Sequence, residues 1–306
     1  MSIYQTTNNE TITTEKELGK GGEGIVYAIK EQPHQVAKIY YPQERGATKK
    51  SKLQIMIDRP PFKLSTAHSL SQIPLTWPLD LLYQNKKFVG YLMPKVGKSS
   101  GIFTFYLPKL RQKYHPTIDR RHLYRIAKNL ANILYNLHLH GYIIGDINQK
   151  NILISKNVWV TLVDVDSFQV KSLFGEVFAC PVGVAEYTPP ELQGKMLKQI
   201  ERTANHDRFG LAVLLFQLLM QGFHPFAGVP LHAEFSTAEK FDLYCIKKGI
   251  FPYQQNSTFT PPPNAPRFET LPDALQRLFL RCFTKGHQFP DYRPTAYDWV
   301  IALNHC

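Results

Sequence analysis

Cysteine is scarce. The four in 306 residues, Cys180, Cys245, Cys282 and Cys306, form no C-x-x-C pair and are too sparse for a disulfide scaffold. Reduced thiols are the default, and no zinc site is expected. Long apolar runs are lacking too: none reaches the roughly 18 residues of a membrane span. The opening stretch MSIYQTTNNETITTEKE lacks the basic-then-apolar order of a secretory signal. Both absences point to a cytoplasmic protein with no membrane partner. Acidic residues are outnumbered, 24 Asp+Glu against 36 Lys+Arg, for a formal charge of +12. The excess gathers at Lys49, Lys50 and Lys52, at Lys109, Arg111 and Lys113, and at Arg120, Arg121 and Arg125. A solvated basic surface is the simpler reading, and attraction of an acidic protein partner or substrate is the sharper one. Nucleic acid is not favoured, because no finger, recognition helix or aromatic-studded RNA motif accompanies the charge. With 43% hydrophobic and 12% aromatic residues, the chain has enough apolar material to bury a sizeable core as one domain or two lobes.

What is present centres on HGYIIGDINQKNILI, His140 to Ile154. Asp146 and Asn151 stand five residues apart there, in a loop pinned between apolar segments. Phosphoryl transfer needs a carboxylate to accept the proton of an attacking hydroxyl and an oxygen ligand for Mg²⁺, and such a loop supplies both. The spacing alone is a weak signal. It gains weight from Asp164 in LVDVD, eighteen residues after Asp146. Near the start, Gly19-Lys20-Gly21-Gly22-Glu23-Gly24 satisfies G-x-G-x-x-G. A dinucleotide fingerprint would be followed by a helix, whereas Ile25-Val26-Tyr27 follows here, as in a hairpin lying over phosphates. The next strand, Gln35 to Tyr40, places a single lysine, Lys38, in an apolar run where an unpaired ammonium would be costly.

In this order the motifs resemble those of a bacterial Hanks-type (eukaryotic-like) Ser/Thr protein kinase, over more than nine tenths of the chain. The resemblance implies an α+β, two-lobed protein-kinase-like fold, with a small β-rich N-lobe at 1–95 and a larger helical C-lobe at 96–306. It also implies roles. Gly19, Gly21, Gly22 and Gly24 would cover the phosphates of ATP, and Lys38 would grip them. Val26 and Val36 would roof the adenine, Leu153 would floor it, and Met93 would stand at the gatekeeper place before the hinge. Asp146 would be the catalytic base, with Asn151 and Asp164 holding Mg²⁺ or Mn²⁺.

Departures from the family are equally plain. Ile144-Gly145-Asp146 replaces His-Arg-Asp, which argues against activation through a phosphorylated segment. Asp164-Val165-Asp166 replaces Asp-Phe-Gly, and Asp166 is expected to serve as an extra metal ligand or metal-orienting group. The helix expected at Thr48 to Ile57 carries no acidic residue to pair with Lys38, leaving only Glu44 before it and Asp58 at its end. The lysine usually found two residues after the catalytic aspartate is Asn148, and the usual Gly-Thr reads Gly183-Val184. Lys150 or the Asn148 amide is expected to take over at the γ-phosphate.

Strands are expected in LTWPLDLLYQ and KKFVGYLMP with a turn at Asn85-Lys86, and the segment from Arg59 to Gln72 reads as loop. Helices are expected at Thr117 to His140, through Leu211 to Met220, around Ala238 to Lys248, and at Leu271 to Phe283 and Thr295 to Asn304. Pro261-Pro262-Pro263 reads as connector rather than polyproline ligand. HDRFGLAVLLF resembles the start of the family's central helix, and Pro189-Pro190-Glu191 and the RPTA at Arg293 resemble its A-P-E glutamate and distant arginine; the resemblance implies that Asp207 orients the catalytic loop through backbone amides and that Glu191 pairs with Arg293. The forms GDINQKN and DVDSFQ, with WP and GYLMP, resemble divergent bacterial kinases found with a PP2C-type phosphatase and a von Willebrand A protein in stress or tellurite-resistance operons. Three function classes follow: an active Ser/Thr kinase, a nucleotide-binding pseudokinase scaffold, and a small-molecule phosphotransferase.

Overall fold

Alternating apolar residues in the first hundred positions close into a barrel. The computed structural model describes residues 1–62, 73–232 and 239–306. Most of the loop expected up to Gln72, and the helix start expected at Ala238, lie outside the described residues. The chain folds into two compact units, the first made of Met1–Ser99, Thr161–Asp166 and Val170–Phe178. Its strands are β1 (Ile3–Gln5), β2 (Thr11–Lys20), β3 (Gly24–Ile29), β4 (Gln35–Tyr40), β5 (Asp80–Gln84) and β6 (Lys87–Pro94). They join antiparallel in the order β1-β2-β3-β4-β6-β5, and Gln5 opposite Tyr83 closes the ring. The sequence reading anticipated strands here but neither β1 nor the closure. Asn85 and Lys86, at φ 51° and 63°, form the two-residue turn between β5 and β6.

Period-two alternation sorts the strand faces. Ala37 and Ile39 enter the barrel with Ile12, Ile29, Leu82, Val89 and Leu92, and each buried Ile, Leu or Val contributes about 1.5–3 kcal/mol. Val36, Lys38 and Tyr40 therefore point to the opposite face. Gly90 on β6 is required by close approach: a Cβ there would collide with the carbonyl oxygen of Lys38.

The helix α1 (Ala47–Asp58) buries Lys52, Leu53 and Met56, and the Trp77 indole N–H donates to the Met56 carbonyl at 2.8 Å. The helix starts one residue before the expected Thr48, with Gly46 at its N-cap and no side chain capping it.

The second unit comprises Ser100–Val160, Ser167–Gln169 and Ala179–Cys306. Its helices are α2 (Phe103–Tyr106), α3 (Pro108–Tyr114), α4 (Arg120–Leu139), α5 (Ala204–Leu219), α6 (Phe241–Lys248), α7 (Asp273–Phe283), α8 (Lys285–Gln288) and α9 (Ala296–Leu303). Asp119 and His122 cap α4 reciprocally, and its buried stripe includes Leu123, Ile126, Leu130, Leu134 and Leu137. Gly141 follows at φ 76°. A reciprocal cap, Thr295 with Asp298, also opens α9. α5 is buried on nearly every side because apolar residues surround it, and its Phe216 meets Phe279 edge-on at 5.1 Å. Such aromatic pairs add about 0.5–1.5 kcal/mol beyond their area. Among the described residues no helix is long and apolar enough to cross a membrane.

Candidate functional site

The residues singled out by motif fall in both units. In the first, register does the positioning. Lys38 lies opposite Val26 on β3 and Tyr91 on β6, and Val36 lies opposite Ala28 and Met93. Paired residues of antiparallel strands share a face, so Val26, Val36, Met93 and Lys38 line one surface. Gly24, opposite Tyr40, continues it to the glycine-rich turn. That turn joins β2 to β3, and Glu23 in it accepts from Lys49 of α1 at 2.7 Å.

Lys38 is buried, its side chain 9% exposed, with its ammonium 2.7 Å from Asp164 Oδ1. The Asp164 side chain is 51% exposed and its backbone is left-handed, φ 59°, a conformation that Asp tolerates better than most residues. A half-exposed carboxylate offers oxygen of the kind a hard cation takes as ligand. Burial would lower the Lys38 pKa, but Asp166 and Asp164 together raise it well above the ordinary lysine range.

Asp166 differs from its expected role as an added metal ligand. Its side chain is 1% exposed. Both carboxylate oxygens accept from Lys38 Nζ, at 2.7 and 2.8 Å. Tyr40 donates to Oδ2 at 2.5 Å and Tyr91 to Oδ1 at 3.0 Å. A carboxylate offers about four lone-pair sites, and these four contacts fill them, which leaves no approach for a cation. Burial would raise its pKa, but Lys38 and the Tyr40 hydroxyl hold it well below the usual carboxylate range. Burial, then the charge of Asp166, pushes both phenols far above their ordinary value, so they remain donors. The sequence reading missed Tyr40, Tyr91 and Lys52, whose ammonium donates to the Asp166 backbone carbonyl at 2.7 Å.

In the second unit the loop carrying Asp146 is fastened from beneath. Asp207, at the start of α5, accepts from the backbone N–H groups of Ile144 and Gly145 at 2.8 and 2.9 Å, as expected from sequence. The Asn151 amide nitrogen lies 3.3 Å from both the Asp146 carbonyl and its Oδ2, which turns the amide oxygen away from Asp146. Asn148 is buried, and both its polar atoms serve the loop: Oδ1 accepts from the Lys150 backbone at 2.9 Å and Nδ2 donates to the Asp146 carbonyl at 3.2 Å. Of the two γ-phosphate candidates, Asn148 is therefore committed to loop structure, whereas Lys150 is exposed. Leu153 is half-buried on the following strand, Ile152–Ser155.

A residue the motifs did not mark, Arg202, occupies the space beside Gly145. Its guanidinium donates to the carbonyls of Gly145, Cys180 and Val182, and the Gln169 side chain bonds both its backbone N–H and its carbonyl. Gly145 has φ 71°, and a Cβ there would lie 2.7 Å from both Arg202 Nη1 and Cys180 Cβ. Gly145→Ala should therefore cost about 2 kcal/mol or more, from the left-handed backbone and the crowding together. Urea denaturation measures it, and an unchanged midpoint would refute the packing argument. Farther along, Glu191 receives Arg293 at 2.6 and 2.7 Å, the bidentate pair anticipated from the sequence.

No protein-family model matches the chain. Over 302 residues, 98% of its length, it is 36% identical to protein kinase YegI of Escherichia coli O157:H7, and it matches protein kinase YegI of strain K12 to the same degree. The chain spans 45% of each of these proteins, about half their length. Over 148 residues, 48% of this chain and 10% of the relative, it is 26% identical to the PAS domain-containing serine/threonine-protein kinase of Mus musculus. These relatives and the mixed α/β architecture are consistent with a kinase-like fold, and the chain is a homologue of proteins named as protein kinases.

Proposed function

We propose that the chain is an ATP-dependent protein kinase that transfers the γ-phosphate to Ser/Thr hydroxyls of a protein substrate. The observation that carries this reading is the Lys38–Asp164 pair: a buried ammonium held against a half-exposed carboxylate, on a strand face shared with Val26, Val36 and Met93. Mg·ATP, when bound, supplies the phosphoryl group and neutralises its developing charge. Lys38 grips the α- and β-phosphates beneath the turn at Gly19, Gly21, Gly22 and Gly24. Val26, Val36, Met93 and Leu153 would take the adenine, and Asn151 and Asp164 would hold Mg²⁺ or Mn²⁺. Asp146 orients the substrate hydroxyl and accepts its proton on the carboxylate, while Lys150 presents its ammonium to the γ-phosphate. The resemblance also makes a PP2C-type phosphatase and a von Willebrand A protein proposed partners, in a cytoplasmic setting, with co-purification as their test. The excess of positive charge suits an acidic substrate segment.

The test is Mg²⁺-dependent incorporation of labelled phosphate, together with a thermal-shift titration. Mg·ATP should raise the melting temperature of the wild type and have much less effect on Asp164→Ala. Equal stabilisation of both would remove Asp164 from the metal site. Asn148 supports a second reading, since a loop without its usual lysine suits a nucleotide-binding scaffold. ATP binding without turnover under any metal would select that reading.

A further inference from the structure

A kinase lysine that grips phosphates works only while a carboxylate holds it extended, and in protein kinases that carboxylate comes from the helix after its strand. Here α1 has none to offer. Its one acidic residue, Asp58, accepts from Gln54 at 2.9 Å, and Glu44 just before the helix receives Lys49 at 3.3 Å. The buried face of α1 carries a lysine instead, Lys52, whose ammonium ends on the Asp166 carbonyl.

We propose that Asp166 is the counter-ion that positions Lys38 for ATP, taking over from the segment after Asp164 the duty that helix α1 does not perform. The geometry is that of a built pair, resting on the kinase reading above for its purpose. Asp166 contacts Lys38 through both oxygens, and two phenol hydroxyls complete its shell. A buried ion pair is tolerated only when hydrogen bonds satisfy what the partner leaves over, and Tyr40 and Tyr91 do so. Their placement follows from β pairing: Tyr91 is directly opposite Lys38, and Tyr40 is two residues along on the same face. The lysine's holder and Asp164 thus ride on one three-residue stretch. Setting Lys38 then requires β4, β6 and that stretch, and α1 contributes a brace to the backbone rather than a charge to the pair.

The experiment is a double-mutant cycle on the full chain with Lys38→Met, Asp166→Asn and both together, reading ATP affinity by calorimetry and melting temperature without nucleotide. If Asp166 acts through Lys38, Asp166→Asn weakens ATP binding about tenfold or more in the wild-type background and leaves affinity nearly unchanged in the Lys38→Met background. The double variant should also melt above Lys38→Met, because it no longer buries a carboxylate without its cation. The same fractional loss of affinity in both backgrounds would overturn the proposal, since Asp166 would then act independently of Lys38. Unchanged affinity in Asp166→Asn would overturn it too. A wild type that binds no ATP overturns the kinase reading, while the melting temperatures still decide whether the two residues are a pair.

Discussion

Asp146→Asn should lower phosphate transfer by roughly 10²–10⁴-fold, the usual contribution of a positioned general base, with little change in stability. The substitution keeps the shape of the side chain, and the shorter bonds that hold the loop go to its backbone, the carboxylate itself taking a bond from the Asn151 amide at 3.3 Å. Asp207 binds the two preceding amides, and Asn148 and Asn151 both donate to the Asp146 carbonyl. The main loss is the proton acceptor. Single-turnover transfer to a protein substrate, measured beside a melting curve, checks this. A variant that melts like the wild type and transfers phosphate as fast would exclude Asp146 as the base.

Arg293→Ala should lower the unfolding free energy by about 3–5 kcal/mol, the cost of breaking a buried pair and leaving its partner uncompensated. The Arg293 side chain is fully buried, and its guanidinium also donates to the carbonyls of Gly286 and Asn205 at 2.9 and 3.0 Å. Glu191 is partly exposed, at 28%, so water recovers some of the loss and places the value toward the lower end. Denaturant unfolding measures it, and a loss under 1 kcal/mol, typical of surface pairs, would contradict the burial argument. The pair also gives a pH signature. Burial would raise the Glu191 carboxyl, but Arg293 holds it below its ordinary 4.5. A depressed carboxyl stabilises the fold above that ordinary value, and the contribution disappears as pH falls through the folded one. The stability gap between wild type and Glu191→Gln should therefore be widest near neutrality and shrink in acid.

Much of this was legible in the sequence where one local rule governs. The bounds of β4, the long α4 with its glycine stop, the encircled α5 and the Thr295 cap all follow from periodicity and end signals. The Glu191–Arg293 pair and the role of Asp207 were implied by the resemblance to the kinase family. Asp166 was not legible, because its role depends on two tyrosines that read as ordinary strand aromatics. Only the register that sets Tyr91 against Lys38 reveals them as donors. Lys52 hid in the same way, as one basic residue among several in α1, with its burial decided by what lies across from the helix. Asn148 looked available for phosphate until its amide proved to be spent on both sides of its own loop.

Arg202 has a further consequence, one of timing. Its cation meets three main-chain carbonyls, one beside Asp146 and two in the segment from Cys180 to Val182. Carbonyl acceptors are present from the moment the chain is made, whereas a phosphoryl group must be added and can be taken away. Contacts of this kind form with the fold itself and need no added phosphoryl group to hold the segment from Cys180 to Val182 beside Gly145.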